Sequence, residues 1–236
     1  MANLDYDAKL NSKPYRFFDL VYRLLIVNIL TVVLACTIIG MFPGLVAATA
    51  TLKQGSGSDN VFKQYFKNFV HYFKKSFPAG FVLFILYIVC IYAIYFYAKA
   101  EIVDGETDNL LMLFLNTGFL ISFIGFFVIT FLSVHLPLLI ITFEKLNVTE
   151  IYRTSFYVTF RYILTTLILF VLHVVIIGVF ALCIFDPRVL AVWLLIGISL
   201  PLFLEIKITA PIYYKFSQID FEKIMRLAEE DEDEEE

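Results

Sequence analysis

Along most of this chain the apolar residues run on without interruption, and five stretches contain no Asp, Glu, Lys or Arg: residues 24–52, 76–98, 109–143, 162–185 and 189–204. The first four hold 29, 23, 35 and 24 residues. About 20 apolar residues, rising 1.5 Å each, cross a hydrocarbon core of ~30 Å. The fifth stretch has 16, cut short by Glu205 and Lys207, and apolar character resumes over 208–214. Backbone amides in hydrocarbon need internal partners, so these stretches should be helices. A membrane barrel would instead show alternating segments of about ten residues. The pattern predicts an all-α polytopic bundle of five transmembrane helices, at 24–46, 77–98, 110–137, 162–185 and 189–212. Residues 1–228 form one membrane domain on this reading. The first stretch exceeds the 7–15-residue apolar core of a cleaved signal peptide and is expected to stay.

Two segments between the spans carry a helical period instead. In 59–75, after a Gly-Ser turn with Ser58 or Asp59 placed to cap it, Phe62, Tyr65, Phe66, Phe69, Val70 and Phe73 recur at i, i+3, i+4, i+7, i+8 and i+11. Lys63, Lys67, Lys74 and Lys75 take the remaining arc. A basic, aromatic helix of this kind suits the headgroup plane, or a partner protein, with Phe62, Lys63, Phe66, Lys67, Phe69, Phe73 and Lys74 as the docking residues. The unit recurs 87 residues later: Asn60-Val61, Tyr65, Phe69, Phe73 and Lys74 align with Asn147-Val148, Tyr152, Phe156, Phe160 and Arg161. A second interfacial helix is therefore expected at 148–161. Each copy follows a span carrying proline near its end, and Pro43, Pro137 and Pro201 are the expected helix bends.

Composition agrees with the pattern. The chain of 236 residues is 60% apolar and 17% charged, with a mean hydropathy of +0.82, against about 45–50% and 25% for soluble domains. The formal charge of −4 belongs to the tail: residues 229–236 are all acidic, and the rest holds 18 basic against 14 acidic residues. That tail is expected to be disordered and solvated, and no basic excess points to nucleic acid. With five spans the termini fall on opposite sides. The side after spans one, three and five collects twelve Lys and Arg, the other six. Retention of basic residues inside then puts the N-terminus outside and the C-terminus in the cytoplasm; the alternative is an inverted topology, or a first segment that dips in and returns.

Polar groups within spans are the candidates for chemistry, because lipid penalises them. They are Asn28, Asn116, His135, His173 and Glu205. His135 and Glu205 stand at similar places relative to Pro137 and Pro201, which suggests a Glu–His pair; interhelical hydrogen bonds and snorkelling are the structural alternative. Cys36, Cys90 and Cys183 read as small packing residues. No GxSxG, HExxH, Walker A or CxxC motif is present, and no catalytic residue, cofactor or metal site is expected.

Gly40-Met-Phe-Pro43-Gly-Leu-Val-Ala47-Ala48, followed by Val61-Phe62-x-x-Tyr65-Phe66-x-x-Phe69-x-x-x-Phe73-Lys74-Lys75-Ser76, resembles the signature of the bacterial YesL-like family, a domain of unknown function. Phe131-Leu-Ser-Val-His135-Leu-Pro137 with Phe143-Glu144 and Asn147 is similar to its second block. Gly44 stands where that family has Ala, and Tyr65-Phe66 where it has Phe-Trp. The resemblance implies a five-span inner-membrane protein whose relatives stand beside sugar-uptake ABC transporters and glycoside hydrolases. The function expected is that of a non-enzymatic accessory protein bound to membrane lipid and to importer permease subunits. The alternative is a small-solute transporter or channel in its own right.

Overall fold

The computed structural model describes residues 13–55, 60–103, 109–183 and 185–218, and these are helical with no strand among them. The helices are α1 (Lys13–Ala35), α2 (Ile38–Gln54), α3 (Val61–Val103), α4 (Asn109–Thr142), α5 (Val148–Arg161), α6 (Ile163–Leu182), α7 (Pro187–Ile196) and α8 (Ser199–Gln218). Four segments are long and apolar enough to cross a membrane: Phe17–Ala35, Val61–Lys99, Leu113–Thr142 and Ile163–Leu182. A fifth crossing exists only if α7 and α8, bent by 45° at their junction, count as one span. The acidic tail and the Ser58–Asp59 cap lie outside the described residues.

The first apolar stretch is not the single span expected at 24–46. It breaks at Cys36–Thr37, six residues before Pro43. Thr37 takes an extended conformation and its hydroxyl accepts the Gly40 amide at 3.0 Å, which caps the start of α2. The chain then turns back. Leu24 and Val27 of α1 pack with Ala47, Ala48 and Leu52 of α2. At the open end, Gln64 accepts from Arg23 at 3.4 Å and donates to Gln54 at 2.6 Å. The turn itself is apolar: Ile38 and Ile39 are 73% and 59% exposed. Water would penalise such a tip, whereas lipid solvates it.

This hairpin changes the path of the whole chain. Lys53, at the end of α2, donates to Thr142 at the end of α4 (2.9 Å). Lys75 donates to the carbonyls of Phe143 and Glu144 at 2.7 and 3.0 Å. The last turns of α8 reach the same end, where Ile212 packs with Val158, Phe143 and Tyr162. Lys13 and Gln218, the two ends of the described chain, therefore lie toward one end of the bundle. A single crossing of the first stretch would have put these two residues at opposite ends.

The helix expected over 59–75 is not a separate interfacial element. It continues through Pro78 into the following span as one helix of 43 residues, about 65 Å long at 1.5 Å per residue. Val61, Tyr65, Asn68, Tyr72, Ser76, Ala79 and Leu83 are all buried. Spacings of three and four carry this stripe unbroken past the proline, so packing holds the helix straight on where proline alone would weaken it. The aromatic face is split accordingly. Tyr65 turns inward, its hydroxyl donating to the Gly44 carbonyl at 3.1 Å and lying 3.2 Å from Thr31 Oγ1. Phe62, Phe66 and Val70 stay exposed, and Phe69 and Phe73 are half-buried.

α5 covers 148–161 and packs on protein through Ile151, Thr154, Ser155, Val158 and Thr159. Its first turn is held by Glu150, whose carboxylate accepts the Asn147 amide at 2.6 Å. Burial raises the pKa of the Tyr152 hydroxyl above the ordinary tyrosine range, so it stays a donor, to the Ala79 carbonyl at 2.7 Å. Tyr65 and Tyr152, equivalent in the 87-residue repeat, thus both bond the carbonyl that follows a proline. The packing around them differs: Tyr65 reaches back to α2, Tyr152 across to α3.

None of the three prolines is itself the break. Pro43 and Pro137 sit inside α2 and α4. Pro201 occupies the first turn of α8, where a missing amide hydrogen costs little, and the break precedes it at Gly197–Ile198.

Candidate functional site

Asn28 explains how the α7–α8 break survives in an apolar setting. Its Nδ2 donates to the carbonyls of Trp193 (3.2 Å) and Leu194 (2.7 Å), at the end of α7. Its Oδ1 accepts the amides of Ile198 (2.7 Å) and Ser199 (2.9 Å), at the start of α8. One fully buried amide therefore bonds backbone groups of both helix ends.

His135 is also locked. The Thr166 hydroxyl lies 3.3 and 3.2 Å from the Thr159 and Tyr162 carbonyls, which can only accept. The His135 Nε2–H then donates to Thr166 Oγ1 at 2.9 Å, and Nδ1 accepts from the Tyr213 hydroxyl at 3.2 Å. This chain ties α4 to α6 and α8, with all three side chains buried. The carboxylate expected beside His135 pairs elsewhere.

Glu205 faces His173. Its Oε2 stands 3.9 Å from His173 Nε2, too far for a hydrogen bond. Its Oε1 is buried with no hydrogen-bond partner, although the residue is only 1% exposed. His173 Nδ1 donates to the Leu169 carbonyl at 2.8 Å, which leaves Nε2 of the neutral ring as an acceptor. Pairing with His173 rather than His135 follows from the α8 start, whose placement is set by the break at 197–198 and could not be read from the proline register.

Both residues line a cavity of about 620 Å³ enclosed by α2, α3, α4, α6 and the α7–α8 junction. Pro43, Pro137 and Pro201 all line it too. Its remaining polar groups are largely spent on one another: the Tyr87 hydroxyl lies 3.3 Å from Thr130 Oγ1 and 3.1 Å from Ser133 Oγ. The Trp193 indole nitrogen is buried and unpartnered, and the residue also lines the cavity. Sequence reasoning did not single out Trp193, Tyr87, Thr130 or Ser133. The one signal available was that Trp193 is the chain's only tryptophan.

The other expected site residues disperse. Asn116 is exposed on α4, away from the cavity lining. Cys36 is exposed and Cys90 and Cys183 are half-buried, all three free. On the first half of α3, Phe62, Lys63, Phe66, Lys67 and Lys74 form an uncovered aromatic and basic face, with the Phe62 and Phe66 rings 4.9 Å apart. Among the described residues no group of three or more His, Cys, Asp or Glu is gathered as a metal site would need.

Residues 24–97 match a family model described as "Protein of unknown function, DUF624". The matched segment runs from α1 through the hairpin and most of α3. No curated protein and no solved structure matches the chain. The apolar helices are those of a multi-pass membrane protein, and over 24–97 the chain is similar to a family without an assigned activity.

Proposed function

We propose that this is a non-enzymatic accessory protein of the YesL-like type in a bacterial cell membrane, docking onto the permease subunits of a carbohydrate importer. The observation that carries the reading is the uncovered face of α3. Its inner side is buried against α1, α2 and α4, while Phe62, Lys63, Phe66, Lys67 and Lys74 remain free of the bundle. Aromatic anchors flanked by cations suit a protein interface. The choice of partner rests on the resemblance of 40–76 to the YesL-like signature; the family match over 24–97 names no partner.

The hairpin supports a cytoplasmic placement for this face. With the first stretch returning, the end of the bundle bearing Arg23, Lys53 and Lys75 also takes Lys13 and Arg16. Among the described residues 13 of the 15 Lys and Arg then belong to that end, and Lys99 and Arg188 to the other. The bias is steeper than the twelve against six of a single crossing. Both termini are accordingly assigned to the cytoplasm.

Affinity capture of the tagged protein from solubilised native membranes tests the docking. Importer permease subunits should be recovered with the wild type and lost with Phe66→Glu/Lys67→Glu, whose exposed positions leave the fold intact. Recovery of no importer subunit, or equal recovery by the variant, contradicts the reading. The transporter alternative draws on the cavity. Glu205 lines that cavity, while His135 is sealed beside it and Asn116 faces outward.

A further inference from the structure

We propose that the cavity beneath the α7–α8 break is a binding site for a lipophilic primary amine, its ammonium head held between Glu205 and His173 and its chain against the apolar walls. This goes beyond the docking reading and does not depend on it.

The head is chosen by the polar groups. Glu205 offers a buried oxygen, Oε1, with no hydrogen-bond partner, and a second, Oε2, facing His173. His173 has committed its Nδ1–H to Leu169 and presents Nε2. These are acceptors, and the 3.9 Å between Nε2 and Oε2 is too long for them to satisfy each other directly. An ammonium carries three N–H donors and no acceptor. It would donate to both residues and compensate a carboxylate that is otherwise costly to bury alone.

Other heads fit less well. Among the described residues no Lys or Arg lines the cavity, so a phosphate or carboxylate would meet Glu205 without a compensating cation. A sugar needs many hydrogen-bonding partners, and the Tyr87, Thr130 and Ser133 hydroxyls already bond one another or nearby carbonyls. A neutral alcohol would bond one oxygen and bring no cation to stabilise the carboxylate.

The body is chosen by the walls. About 620 Å³ falls within the range of small-molecule pockets, and the lining includes Phe42, Phe77, Leu83, Phe84 and Ile176. The rim residues Ile38, Met41, Phe81 and Ile177 are each more than half exposed on the apolar surface of the bundle. The cavity therefore opens sideways toward lipid, the phase in which a lipophilic amine is dissolved.

Trp193, the chain's only tryptophan, lines the site and reports on it. The test uses the full chain in phosphatidylcholine nanodiscs, titrated with bromine-tagged dodecylamine, dodecanol and dodecanoate, each of which quenches Trp193 on close approach. The amine should quench saturably, with an affinity about tenfold or more above that of the alcohol or the acid, as for a charged hydrogen-bonded head. Glu205→Gln should weaken the amine by about tenfold or more and leave the alcohol unchanged. Ile177→Phe, a substitution at an exposed rim position, should weaken the amine without touching the carboxylate. Equal affinity of amine and acid, no saturable quenching by the amine, or an amine affinity unchanged in Glu205→Gln would overturn the assignment.

Discussion

Replacing Asn28 with Leu is expected to cost about 3 kcal/mol of stability, roughly a hundredfold in the unfolding equilibrium, from four hydrogen bonds worth roughly 0.6–1 kcal/mol each. The side chain holds two carbonyls of α7 and the amides of Ile198, at the break, and Ser199, the first residue of α8, at 2.7–3.2 Å. Leu fills similar space and offers none of those partners. The Trp193 carbonyl also keeps the Gly197 amide at 2.7 Å, but the Ile198 and Ser199 amides have Asn28 as their acceptor at a 45° break among apolar side chains. Unfolding in mixed detergent micelles measures the loss directly. A variant as stable as wild type would mean that the break is held by packing alone. Because Ser199 and Ile198 set the start of α8, the same substitution should also disturb the position of Glu205, two turns further on.

Gly80→Leu is the second large effect. A Cβ at Gly80 would lie 2.4 Å from the Phe42 Cβ and 2.6 Å from its Cγ. The helices α2 and α3 meet there at a distance that only a hydrogen atom allows. Overpacking of this kind costs about 1–3 kcal/mol, and here it acts on the contact that holds the hairpin against the long helix. Phe42→Ala should recover much of the loss, since the two changes share one contact and will not add. Gly178→Ala provides the contrast. Nothing lies within 4 Å of its added carbon, so it should be neutral or stabilising by up to about 1 kcal/mol through helix propensity. The micelle unfolding measurement serves all three variants, and equal stability of Gly80→Leu and wild type would contradict the close approach.

Helical content and membrane residence were legible because freedom from charge over 20 or more residues leaves the backbone few other options. The turn at Cys36–Thr37 was not. It carries neither proline nor a charged residue, and its cap is a single threonine hydroxyl acting on Gly40. Lipid removes the usual sign of a turn, since a tip that rests in hydrocarbon needs no polar residues to solvate it. The continuity of α3 could have been read from Val61, Tyr65, Asn68, Tyr72 and Ser76, whose spacing runs on past Pro78; the more conspicuous phenylalanines obscured it.

The site was half legible. The rule that polar residues inside spans matter picked Asn28, His135, His173 and Glu205, and each has a specific place. Which partner each takes depended on contacts across the fold. Asn28 meets residues some 170 positions away. Glu205 meets His173 because the broken span turns it toward α6, while His135 is occupied by Tyr213 and Thr166. Asn116 obeys the same rule in the sequence and faces outward in the fold, so the rule finds candidates without finding a site.

The central claim is that the first apolar stretch enters the membrane and returns, which brings both ends of the chain to the basic side. Single cysteines at Gly55, Gly105 and the two chain ends, in a background with Cys36, Cys90 and Cys183 replaced by Ser, test this in intact cells with a membrane-impermeant thiol reagent. Labelling of Gly105→Cys alone, with both ends and Gly55→Cys reacting only after permeabilisation, is the result the hairpin predicts. An N-terminal cysteine that reacts from outside while Gly55→Cys stays protected would mean that the stretch crosses once, and the hairpin would be wrong.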